Sequence, residues 1–202
     1  MNDILIIDDV VCPLYQDKIE EFLLVSNNPW FFQSDITLSD DYLNQLDREN
    51  PTNKLKRRPG FGSLMFDLHD QKGQEYHFLA PIMYAASEKS QIPINKLTLI
   101  RGFLSLPVSK SKIDKPHIDI PEPHYVGLYY VNDSDGDTVI YQETYNPMFE
   151  STIHAELTSE SLSVVRTITP KKGRLVIFNG NHYHSSSQPT TTHRCVINFH
   201  FL

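Results

Sequence analysis

The chain has 202 residues, 40% of them hydrophobic and 21% charged, which suits one globular domain with a buried core and would leave two cramped. Eighteen basic against 25 acidic residues give a formal charge of -7, and this balance argues against phosphate-backbone binding, which needs clustered Lys and Arg. No run of about 18 uncharged apolar residues occurs, so no membrane-spanning helix is predicted; the start, MNDILIIDDVVCPLYQ, carries acids and no basic leader, which predicts a soluble, cytoplasmic protein.

Residues 3–11 read as an opening strand. Pro13 suits the first turn of a helix, where its missing N–H costs nothing, and Tyr15, Ile19, Phe22 and Leu23 recur at helical spacing. NNPWFF breaks that pattern. Residues 34–75 are polar and interrupted by Pro and Gly, so they are expected to form loops and short elements. Within them KLKRRPG (54–60) reads as a solvated basic loop. Residues 78–90 make a second helix, with Pro81 near its start. Cys12 and Cys195 are the only cysteines; with no CxxC pair they read as reduced, buried thiols.

From residue 96 the pattern changes to short β-rich runs bounded by turns: KLTLIRGFLSL, HIDI, YVGLYYVN, DTVIYQE, SVVRTITP, GRLVIFN and RCVINFHFL. This is the signature of a sandwich or barrel. The organisation expected is a single domain over 1–202, with a helical and loop support layer (1–95) and a β-rich core (96–202). In the last run Cys195, Ile197, Phe199 and Phe201 fall on one face and Arg194, Val196, Asn198 and His200 on the other. The aromatic face needs a cover, which the N-terminal helices would supply. Arg194 and Asn198 then point into a barrel, where an arginine must meet an anion or be fully paired.

DKPHIDIPEPH (114–124) places two histidines and three acids in eleven positions. On extended backbone His117 and Asp119 point the same way and can converge on one ion. One more histidine completes two nitrogens and one oxygen, with three coordination positions open, as suits Fe(II). His182 and His184 in NHYH both compete for that place.

Here the sequence resembles the 2-oxoglutarate- and Fe(II)-dependent oxygenases, especially the prolyl-4-hydroxylase-like, phage or bacterial members. Over residues 97–202 it carries His117-x-Asp119, then DGDTVIY (135–141), then His184, then Arg194 ten residues later with Pro189 between. The resemblance implies a double-stranded β-helix, a jelly-roll or cupin-like barrel, mainly β with α, covered by N-terminal helices. It implies Fe(II) on His117, Asp119 and His184, with 2-oxoglutarate and O2 as co-substrates. The reaction implied is hydroxylation of a small molecule or a peptide, including a peptidyl prolyl residue, with release of succinate and CO2. Arg194 would bind the far carboxylate of 2-oxoglutarate as a charge-assisted partner, and the resemblance adds Tyr130 and Asn198 as cofactor-binding residues. The spacing to Arg194 favours His184 over His182.

His124, His193 and His200 read as surface or packing histidines, with His200 on the Arg194 face. His200 also stands where nucleic-acid demethylases of this superfamily carry a second arginine, which lowers nucleic acid as a substrate. The loops at 34–75 and 142–160 are the places for a substrate lid. The alternative is a cupin-like metalloprotein of other chemistry or a non-catalytic binding module, since a fold does not decide function; a requirement for 2-oxoglutarate separates the two.

Overall fold

A computed structural model describes residues 4–26, 28–37, 44, 48, 57–69, 73, 75–146 and 158–202. In chain order its elements are β1 (Leu5–Ile7), α1 (Pro13–Glu20), a π-helical turn (Glu21–Val25), β2 (Phe31–Gln33), β3 (Gly60–Asp67) and α2 (Glu75–Ser90). There follow β4 (Leu97–Ser105), β5 (Tyr125–Tyr130), β6 (Thr138–Thr144), β7 (Val164–Ile168), β8 (Leu175–Asn179), β9 (His182–Ser186) and β10 (Arg194–Phe201). Among the described residues β1-β8-β5-β10-β4-β3-β2 form one sheet and β7-β6-β9 a second, smaller one. Every pairing is antiparallel.

The strict alternation of β10 sorts its side chains onto two faces of the larger sheet. Cys195, Ile197, Phe199 and Phe201 join one buried cluster with Ile19 and Leu23 of the first helical segment and Leu79, Ile82, Met83 and Ala86 of α2. Gly127 of β5 permits the close approach on this side. A Cβ there would stand 2.9 Å from the Met83 sulfur. On the opposite face Val196 packs with Val126, Leu128, Tyr130, Val176 and Phe178 of the same sheet and with Ile140 and Ile168 of the smaller one. This second core joins the two sheets.

Phe199 is fully buried at the centre of the first cluster. Phe199→Ala is expected to destabilise the chain by about 3–5 kcal/mol, the transfer and cavity cost of a core aromatic. A urea titration that leaves the midpoint unmoved would contradict the assignment of that face to the core.

Several elements differ from their sequence-based expectations. The opening strand is only Leu5–Ile7, because Asp8 turns to the Arg174 guanidinium (2.6 and 3.0 Å) and Asp9 adopts φ 48°. Cys12 is exposed, not buried, since it caps the N-terminus of α1; Cys195 is buried as expected. The stretch NNPWFF ends in strand β2. Residues 60–67, expected as loop, form β3, which its two glycines and weak alternation hid and which the ladder with β4 stabilises. The second helix starts at Glu75, so Pro81 lies inside it and not near its start. HIDI is not a strand; between Pro116 and Pro121 only His117 makes a β-bridge. No helix among the described residues is long and apolar enough to cross a membrane.

Candidate metal centre

The single bridge made by His117 is with His184 of β9, and both backbone bonds of the pair form, N–H to carbonyl, at 3.0 and 2.9 Å. This pairing sets the two imidazoles side by side, ring centroids 4.6 Å apart. Each Nδ1–H donates to a nearby carbonyl, that of Lys115 at 3.3 Å for His117 and that of His182 at 3.1 Å for His184. Both Nε2 atoms are therefore left facing Oδ1 of Asp119, at 3.8 Å from His117 and 3.6 Å from His184. Such distances are too long for hydrogen bonds. They are of the size that separates ligands sharing one ion with bonds of about 2.1 Å, and the three side chains form a group able to hold a metal ion.

The electrostatics suit ligands. Burial, with the neighbouring His184, pushes His117 down to about 4, so its imidazole is neutral at physiological pH. Burial opposes ionisation of Asp119, but His184 and His200 outweigh it and hold the carboxyl well below the usual range. His184 is raised because the Asp119 carboxylate outweighs its own burial. A cation arriving between these groups competes with protonation of His184, which is how metal binding couples to ionisation.

Arg194 lies four residues before Asn198 on the same face of β10, about 13 Å along the strand. It is 5% exposed. Its Nε donates to the Gly136 carbonyl (2.9 Å) and its Nη2 to Oγ1 of Thr138 (2.8 Å), and its guanidinium carbon lies 5.7 Å from the centre of the Tyr130 ring. The Tyr130 hydroxyl, also buried, donates to the same Thr138 oxygen (2.7 Å). With Oγ1 accepting twice, the Thr138 hydroxyl keeps its own proton to donate. Gly136 fits this corner tightly, since a Cβ there would come within 2.9 Å of the Arg194 Cδ. A cavity of about 510 Å³ joins the two ends: His117, Asp119 and His184 line it together with Thr138, Arg194 and Arg58. That volume lies in the usual range for small-molecule sites.

Solved structures align with nearly the whole chain. A prolyl hydroxylase from Trichoplax adhaerens, in complex with a hypoxia inducible factor oxygen degradation domain peptide fragment, has TM-score 0.58 and 16% identity, covering 100% of this chain and 84% of its own. SnoN, a non-heme alpha ketoglutarate dependent epimerase from nogalamycin biosynthesis, has TM-score 0.64 and 12% identity, covering 100% and 78%. HygX from Streptomyces hygroscopicus, solved with nickel and 2-oxoglutarate bound, has TM-score 0.56 and 14% identity, covering 99% and 82%. The chain has the fold of the 2-oxoglutarate-dependent oxygenases. No family model matches it, and no curated protein does.

Within this oxygenase fold the competing histidines separate. His182 starts β9 and its Nδ1–H donates to the Tyr141 carbonyl (2.9 Å), outside the group around Asp119. His193 is partly buried, with an unpartnered Nε2. Asn198 donates through Nδ2 to Oδ2 of Asp119 at 2.9 Å, while its Oδ1 is buried without a hydrogen-bond partner among the described residues. His124 and His200 are buried beside Asp119 and form a second His/Asp group with it. Thr138 was carried in the sequence only as part of DGDTVIY, and the turn before a strand was its single signal.

Arg58 is the larger surprise. The basic run KLKRRPG reads as solvated, yet Arg58 is buried and ion-paired to buried Asp114; Lys54, Leu55 and Lys56 lie outside the described residues. Arg58 also donates to Ser186 Oγ (2.8 Å) and Ser105 Oγ (3.1 Å). Burial and the nearby Arg194 both lower its pKa. No local pattern signals this, because the partner is 56 residues away in the chain. Arg58→Met strands the Asp114 charge and is expected to cost about 3–5 kcal/mol, most of it recovered when Asp114→Leu is added. Equal losses in the single and double variants, by urea unfolding, would contradict this pairing.

Proposed function

We propose that the chain is a single-domain 2-oxoglutarate- and Fe(II)-dependent oxygenase that hydroxylates a small molecule or a peptide. One observation carries this reading: a two-histidine, one-carboxylate group and a buried arginine open into the same cavity. The donor set fits Fe(II), because two neutral nitrogens and one oxygen leave positions for a chelating oxo acid and for O2. When bound, the metal and 2-oxoglutarate supply an O2-derived oxidant, with succinate and CO2 as co-products.

The chain's own residues do the rest. His117, Asp119 and His184 hold the ion. Arg194 and the Thr138 hydroxyl receive the far carboxylate, with Tyr130 fixing Thr138 from behind. Leu128, Val196 and Phe103 give the cavity an apolar wall. Residues 35–37, within the first expected lid (34–75), line the cavity and support assigning that segment to substrate control; its residues 38–43, 45–47, 49–56, 70–72 and 74 lie outside the described residues, as do 147–157 of the second expected lid (142–160). A peptidyl prolyl substrate draws support from the peptide complex of the Trichoplax enzyme, and a small molecule from the likeness to SnoN, an epimerase of nogalamycin biosynthesis.

The test is an anaerobic titration of Fe(II) and 2-oxoglutarate into the purified chain, followed by visible absorption. A weak charge-transfer band that requires both additions supports the proposal. Metal binding without a band on addition of 2-oxoglutarate overturns it in favour of a cupin-like metalloprotein.

A further inference from the structure

The two oxygens of Asp119 have different surroundings. Oδ1 faces the Nε2 atoms of His117 and His184. Oδ2 accepts from Asn198 Nδ2 at 2.9 Å and from His200 Nε2 at 3.0 Å. We propose that His200 is a positioning residue: by donating to Oδ2 it keeps Asp119 a one-oxygen ligand and aims Oδ1 at the metal. This deepens the metal-site reading above and rests on it.

The ring of His200 is held from both sides. His200 is 2% exposed and lies 4.6 Å, ring to ring, from His124, itself 5% exposed. His124 is in turn fixed: its Nδ1–H donates to the Glu122 carbonyl (2.8 Å), and its Nε2 lies so close to Gly180 that a Cβ there would collide with the ring. The strand on one side and the clamped His124 on the other hold the His200 ring where its Nε2–H meets Oδ2. His124 and Asp119 belong to the same proline-rich segment, so the stack also fastens that segment onto β10. With Asn198, His200 gives Oδ2 two donors, and an oxygen so engaged is a poorer metal ligand. The consequence is chemical. A carboxylate bound through both oxygens would fill a fourth coordination position, one that a chelating oxo acid and a third small ligand need. Partners of this kind, one shell behind the ligands, typically change metal affinity 10–100-fold.

Glutamine and methionine at position 200 are near in volume and differ in whether they can donate to Oδ2. Co(II) is titrated into the wild-type chain, His200→Gln, His200→Met and His117→Ala, with affinity and visible d–d absorption as readouts and thermal unfolding as a check on the fold. His200→Met is expected to bind Co(II) about 10–100-fold more weakly, with a shifted d–d spectrum as the second oxygen displaces a solvent ligand. His200→Gln is expected to recover most of the affinity and the wild-type spectrum. Equal affinities and spectra for Gln, Met and wild type overturn the proposal, as does equal impairment of Gln and Met. If the wild type binds Co(II) and His117→Ala binds it as well, the metal-site reading fails, whatever position 200 does.

Discussion

Alanine in place of His184 is expected to weaken Fe(II) or Co(II) binding by more than about 100-fold, since even partners behind the ligands are worth 10–100-fold, and to abolish turnover of 2-oxoglutarate. The size follows from geometry. His184 presents Nε2 at 3.6 Å from Asp119 Oδ1, its orientation fixed by the Nδ1–H bond to His182 and by the double backbone bond to His117. Removing it leaves one histidine and a partly buried carboxylate. His182→Ala is the matched control, since His182 is bonded to Tyr141 and stands outside the group. Metal binding within about threefold of wild type is expected there, because the contact by which His182 orients His184 is made by its backbone carbonyl and survives the change. An anaerobic titration in which His182→Ala loses the metal and His184→Ala keeps it would reverse the assignment.

Arg194→Ala is expected to raise the KM for 2-oxoglutarate about 30-fold or more, the equivalent of at least ~2 kcal/mol for losing one side of a buried charge pair. Metal affinity should change little, because Arg194 lies four residues along β10 from the Asn198 contact with Asp119. The variant also leaves the Gly136 carbonyl without its donor and removes one of the two donors to Thr138, so a lower unfolding midpoint accompanies the kinetic effect. Arg194→Lys keeps a point charge but not the planar fork, and only partial recovery is expected. An unchanged KM, with 2-oxoglutarate turnover intact, would remove Arg194 from the anchor.

The candidate site was legible where chemistry and local period coincide. The order His117-x-Asp119, His184, Arg194 points to a metal and an oxo acid, and the structure brings the first three together and opens the fourth onto the same cavity. The two faces of β10 were equally readable, because the side-chain period of a strand is two and its aromatic residues all fall on one parity. Strand β3 was not readable. Its residues GFGSLMFD lack alternation, and its stability comes from the ladder with β4, which is set by residues 30 and more positions away.

The same division separates His200 and Arg58 from the ligands. In sequence, His200 is one more histidine on a barrel-facing position and Arg58 one more cation in a basic run. Their meaning comes from partners, Asp119 at 81 residues' separation and Asp114 at 56. By itself the sequence determined the β-rich architecture of the second half, the candidate ligand types and their order, since these depend on periodicity and on what each side chain can bind. Only the tertiary structure decided that Arg58 is buried, that Thr138 joins Tyr130 to Arg194, and which oxygen of Asp119 faces the histidines. Those are hydrogen-bond and desolvation relations between distant segments, and no local pattern encodes them.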